Sequence, residues 1–176
     1  MGKKVEERIK SIEIALTNEI RERDFYLKHS KRTSNPLGEK MFACIAKDEE
    51  EHCRRLNDLH RKLSQEGKWP ETLSLTVKGM NLKDVLKDVL VKVDKEQVAD
   101  IDDKEAIKIA IDFEAKGQKF YADLRDSVED KAEKEFYDRL AQIEMEHLLS
   151  LKDTLLYFED SATWFEEHEK PHLDGG

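Results

Sequence analysis

Two short motifs pair a carboxylate with an imidazole at one spacing: Glu49-x-x-His52 and Glu144-x-x-His147. On a helix, residues three apart are rotated by ~300°, so both side chains leave from nearly one face, about one turn apart. Such a pair can grip one metal ion or reach between two. Each motif interrupts an apolar seam, the first between Ile45 and Leu56, the second between Leu140 and Leu151. Two more acids share the trait: Glu19 lies in line with Leu16 and Tyr26, and Glu114 with Ile111 and Tyr121. Packing these four seams together would bury four carboxylates and two imidazoles. A buried carboxylate without a partner is costly and tends to protonate. The seams offer no Lys or Arg at these levels to neutralise these carboxylates, with Arg23 the one candidate exception. Two divalent cations would balance the four charges, and neutral imidazoles would add nitrogen ligands. The bland alternative is a metal-free bundle with Glu49 and Glu144 on a solvated face. Their apolar neighbours at spacings of three and four argue against it.

The elements that must position these residues come from a duplication. Shifted by 95 residues, the sequence matches itself without gaps: Ile12 on Ile107, Ala15 on Ala110, Glu19 on Glu114, Phe25-Tyr26 on Phe120-Tyr121, Glu49 on Glu144 and His52 on His147. Each copy reads as two helices with a short break. The first helix runs from about Lys4 to His29, with Val5, Ile9, Ile12 and Leu16 on one face. Asn35-Pro36 reads as a cap with Pro at the first helical position. The second helix carries Phe42, Ile45, Leu56, Leu59 and Leu63. The third opens near Asp103, and Ser127 with Asp130 reads as a capping box before the fourth. The predicted fold is an all-α four-helix bundle over residues 1–160, built from two duplicated helix pairs. A long crossover covers about residues 66–102, with a short helix of its own from Leu82 to Val93, and residues 161–176 form a C-terminal tail. Trp164 and Phe165 are expected to dock that tail on the bundle or on a partner chain.

A lone Glu-x-x-His is a weak signal in a chain with 40 acidic residues of 176. Glu169-x-x-His172, interrupted by Pro171, reads as tail. The pattern gains force because both motifs and both Glu-x6-Tyr pairs recur at one offset. Leu, Ile, Val and Phe number 44 of 176, which suffices for a core despite 40% charged residues. The net charge of -9 argues against nucleic acid. No apolar run approaches the ~20 residues of a membrane helix, and the start lacks a signal-peptide stretch. Cys44 and Cys53 would lie ~13 Å apart along one helix, too far to bridge. A cytoplasmic location is expected. His29, His60, His168 and His172 read as surface, and Cys53 as a buried thiol.

One Glu from each of two helices plus Glu-x-x-His from each of the other two is the ligand count of ferritin-like di-iron and di-manganese proteins. The chain resembles a rubrerythrin-type member of the ferritin-like superfamily. The likeness spans about residues 4–160, except the crossover, and rests on Glu19, Glu49, His52, Glu114, Glu144 and His147, with Tyr26 and Tyr121 each seven residues after a helix Glu. It implies a ferritin-like bundle that binds two iron ions, with manganese or a mixed pair as alternatives, and reduces hydrogen peroxide or O2. Tyr26 and Tyr121 would then hydrogen-bond ligand carboxylates. Two departures stand out. The familiar rubrerythrin carries a four-cysteine rubredoxin-like domain, whereas this sequence has two Cys and ends in HLDGG. The electron donor is therefore expected to be external, a rubredoxin-like protein, a flavoprotein or a small molecule. The family's extra Glu on the third helix is Gly117 here. Glu22 on the first helix is either its substitute, as a seventh ligand, or a solvated acid. Alternative readings are iron storage with ferroxidase activity, which needs a cage that the insertion and tail disfavour, and hydroxylation of an organic substrate. A homodimer is expected from the commonness of two-fold symmetry.

Overall fold

The computed structural model describes residues 3–70 and 101–168. Among them there are five helices and no strand: α1 (Lys3–Arg32), α2 (Pro36–Glu66), α3 (Ile101–Ser127), α4 (Lys131–Glu159) and the short α5 (Ser161–His168). The chain is an all-α four-helix bundle of two paired hairpins, α1 with α2 and α3 with α4. Most of the expected crossover, including the helix expected from Leu82 to Val93, lies outside the described residues. No helix among them is long and apolar enough to cross a membrane.

Local chemistry sets the helix ends. The Asn35 side chain accepts from the backbone N–H of Leu37 (2.9 Å) and Gly38 (3.2 Å), and Pro36 follows with its preset φ. Gly67 closes α2 at φ 67°, where its N–H reaches Leu63 O; this left-handed conformation strains any residue with a Cβ. The expected capping box differs. Ser127 is the last residue of α3 and donates back to Leu124 O, while Asp130 itself caps α4 by accepting from Glu133 N at 3.0 Å. The short Asp carboxylate reaches that N–H directly, so the serine is left to the preceding helix.

Two buried acids tie the hairpins at opposite ends. Glu133, in the first turn of α4, pairs with Arg8 in the N-terminal part of α1. Asp103, at the start of α3, accepts from Thr33 (2.6 Å) and Arg32 (2.9 Å) at the end of α1. These contacts make α4 run with α1 and α3 run against it. The end of α2 and the start of α3 therefore lie at opposite ends of the bundle. Two apolar clusters fill those ends. One gathers Tyr26, Met41, Phe42, Ile45, Ile107 and Leu151. The other gathers Ile12, Leu56, Leu63, Tyr121, Tyr137 and Leu140. In α5, Trp164 packs edge-on to Tyr157 and donates to Asp153 at 2.9 Å, which seats that helix against α4.

Asp103→Ala removes a buried anion that holds two donors. Charge-assisted hydrogen bonds of this kind contribute ~1.5–3 kcal/mol each, so a loss of about 2 kcal/mol or more is expected in urea denaturation.

Candidate metal centre

Between the apolar clusters, the four helices turn ionisable groups toward one another. α1 contributes Glu19, α2 Glu49 and His52, α3 Glu114, and α4 Glu144 and His147. Each is at most 3% exposed. Their oxygens and nitrogens form two overlapping sets: Glu19, Glu49, His52 and Glu144, and then Glu49, Glu114, Glu144 and His147. Within each set, one ligand atom per residue lies within 4.8 Å of all the others. Glu49 and Glu144 belong to both. All six residues marked by the sequence thus meet in one layer. Arg23, the one basic residue that the seams offered at these levels, pairs instead with Asp24 at 2.8 Å.

Both tyrosines reach this layer by crossing between the repeats. Tyr26 on α1 donates to Glu114 Oε1 on α3, and Tyr121 on α3 donates to Glu19 Oε1 on α1. Their rings are fully enclosed, Tyr26 stacked on Phe42 and Tyr121 on Tyr137. Burial, then the charge of Glu114 for Tyr26 and of Glu19 for Tyr121, raises both hydroxyls well above the usual phenol range. They therefore stay protonated and act as donors.

Without a cation, protons must balance the charge. Burial, then Glu49, pushes Glu19 up to about 8. Burial and the neighbouring carboxylates lift Glu144 well above the ordinary value. Burial alone would lower His52, but Glu49 and Glu19 outweigh it and carry it to about 10. His147 moves the same way, with Glu114 overcoming burial. Glu49 goes the other way: the His52 charge and several hydrogen bonds overcome burial and hold it ionised. Proton sharing does not satisfy the layer, however. Glu49 Oε1, Glu114 Oε2, both oxygens of Glu144, His52 Nε2 and His147 Nδ1 are buried with no hydrogen-bond partner. Each such atom costs ~1–3 kcal/mol. Most are oxygens, with an inward imidazole nitrogen beside them, and that is the donor set of a carboxylate-rich divalent-cation site. The residues fit a pair of metal ions.

Three further residues shape the layer. Glu22 is buried, and burial followed by Glu19, Glu49 and Glu114 pushes it up to about 9. It is therefore not a solvated acid. Asp48, unmarked by sequence reasoning, lies 3.2 Å from His147 Nε2 in hydrogen-bonding geometry. The signal was an acid directly before a motif Glu, lost in the run Asp48-Glu49-Glu50-Glu51. Gly117 faces Glu144: a Cβ there would come within 3.2 Å of Glu144 Oε2. The missing side chain thus makes room for a carboxylate common to both sets.

A sequence model of the family described as Rubrerythrin matches residues 10–155, well over half of the chain. No curated protein and no solved structure matches it.

Two outcomes test the geometry. Glu19, Glu22 and His52 bind protons more tightly folded than unfolded, so their stabilisation is complete below their ordinary values and drains away as pH rises through about 8, 9 and 10. Metal-free protein should lose stability steadily from pH 6.5 to 9 in thermal melts, and a saturating divalent cation should flatten that slope. Gly117→Ala should displace Glu144 and weaken both cation steps about tenfold in a binding titration, with helix content unchanged.

Proposed function

The chain belongs to the rubrerythrin family, and from that premise we propose that it is a non-haem di-iron oxidoreductase reducing hydrogen peroxide, or O2, with electrons from an external donor. The observation that carries this reading is the enclosed layer whose unpartnered oxygens and nitrogen all face one another. In it, Glu49 and Glu144 would be common to both ions, Glu19 and His52 would hold one, and Glu114 and His147 would hold the other. Two irons, when bound, supply the pair of electrons that converts one peroxide and two protons into two waters.

The protein's own contribution is arrangement. The Tyr26 and Tyr121 hydroxyls tie down one oxygen each of Glu114 and Glu19, so that the other oxygen stays directed into the layer. The apolar clusters above and below keep bulk water from the reacting region. The donor must approach from outside. The two thiols, Cys44 and Cys53, are buried and separate, and burial pushes Cys53 up to about 12, which suits neither to thiolate chemistry.

Anaerobic Fe2+ titration, followed by addition of peroxide, tests the reading. Two Fe2+ per chain, oxidised by one peroxide per pair, is the expected result. Accumulation of hundreds of ferric ions per particle on aeration would establish storage instead, and failure to bind iron would remove the centre altogether. Tyr121→Phe should retain two ions but slow the turnover with peroxide about tenfold or more, since the ligand Glu19 loses its support.

A further inference from the structure

Both imidazoles turn Nδ1 inward. His52 Nδ1 lies 3.0 Å from Glu19 Oε2 and from Glu49 Oε2. His147 Nδ1 lies 3.3 Å from Glu49 Oε1 and from Glu114 Oε2. The outward nitrogens are not alike. His147 Nε2 meets Asp48 Oδ2 on α2 at 3.2 Å, whereas His52 Nε2 is buried with no partner. The 95-residue repeat explains why. It carries His52 onto His147 and Asp48 onto Ile143. The residue that stands to His52 as Asp48 stands to His147 is thus a fully buried isoleucine, which accepts nothing.

An imidazole that binds a cation through Nδ1 keeps its one proton on Nε2. A carboxylate that accepts this proton fixes the tautomer, locks the ring and makes the binding nitrogen more basic. His147 has that support and His52 lacks it. Glu22 breaks the repeat too, standing where the other copy has Gly117, but the carboxylates it faces, Glu19 first and then Glu49 and Glu114, are drawn from both sets, and it meets neither imidazole's outward nitrogen.

We propose that Asp48 is a positioning residue that makes the two cation positions unequal, so that the one formed by Glu49, Glu114, Glu144 and His147 fills before the one formed by Glu19, Glu49, His52 and Glu144. The inference rests on the dinuclear reading above and adds an order of filling to it. Sequential filling also gives the protein a singly loaded state, from which a pair of unlike metals can be assembled.

Cobalt(II) is the probe, added anaerobically to the metal-free full chain. Its visible bands report the ligands of each ion, and equilibrium dialysis counts the ions. The wild-type protein should bind two Co2+ per chain in two resolved steps. The tighter step should vanish in His147→Gln and survive in His52→Gln. Asp48→Ala should weaken the tighter step by about 10- to 100-fold and leave the other in place. Asp48→Asn, whose amide oxygen still accepts from Nε2, should recover part of that loss, which a mere packing role would not require. Two equal steps in the wild type, the reverse assignment in the two His variants, or an Asp48→Ala loss shared by both steps would overturn the order and leave the dinuclear reading standing. No cobalt bound in any variant, the wild type included, would overturn that reading and the order with it.

Discussion

Six ionisable side chains are closed off from water between two apolar clusters, and the rest of the bundle is arranged around their needs. Four carboxylates at this depth repel one another and lose their hydration. Protonation relieves part of the charge, as the raised Glu19 and Glu144 and the cationic imidazoles show. It still leaves oxygens of Glu49, Glu114 and Glu144 buried without a hydrogen-bond partner. Fully buried Leu, Ile and Phe side chains contribute ~1.5–3 kcal/mol each. The apolar ends are therefore large enough to hold the helices in register around an unfavourable middle.

Duplication gives this layer its form. One Glu comes from the first helix of each hairpin and one Glu-x-x-His from the second, so joining the hairpins face to face produces two overlapping sets of ligand atoms with two shared carboxylates. The tyrosines then link the copies, each bonding the Glu of the other repeat. The repeat is broken where one copy needs something the other does not. Gly117 leaves space for Glu144 where its counterpart is the buried Glu22, and Asp48 supports His147 where its counterpart is Ile143. These exceptions make the two halves structurally unequal, since the matched positions alone would give two identical halves.

The six central residues were legible in the sequence because each interrupts an apolar stripe at helical spacing, and a polar residue in a buried stripe calls for a partner. The all-α class and the helix pairs were legible for the same reason. Other features depend on which helices become neighbours, and periodicity within one helix does not encode that. The crossed tyrosine bonds belong here, as does the contact from Asp48 to a ring on α4. Asp48 was further hidden in a run of four acids, of which Glu49 joins the layer, Glu50 faces solvent and Glu51 pairs with Arg54 and Arg55. Glu22 could be read either as a ligand or as a solvated acid, and the bundle buries it. At Asp130 a local rule misled: the pattern resembled a capping box, but the shorter carboxylate made the cap alone. Gly117 was visible as a departure from the family pattern, whereas its steric use appears only once α4 is packed against α3.

The proposed function requires that cations, and not protons, complete the buried layer. Anomalous diffraction at the iron edge from crystals grown anaerobically with Fe2+ tests it most directly. Two peaks per chain are expected, one among Glu19, Glu49, His52 and Glu144 and one among Glu49, Glu114, Glu144 and His147. A layer free of anomalous signal in iron-saturated crystals, with its carboxylates bonded to one another or to water, would contradict it.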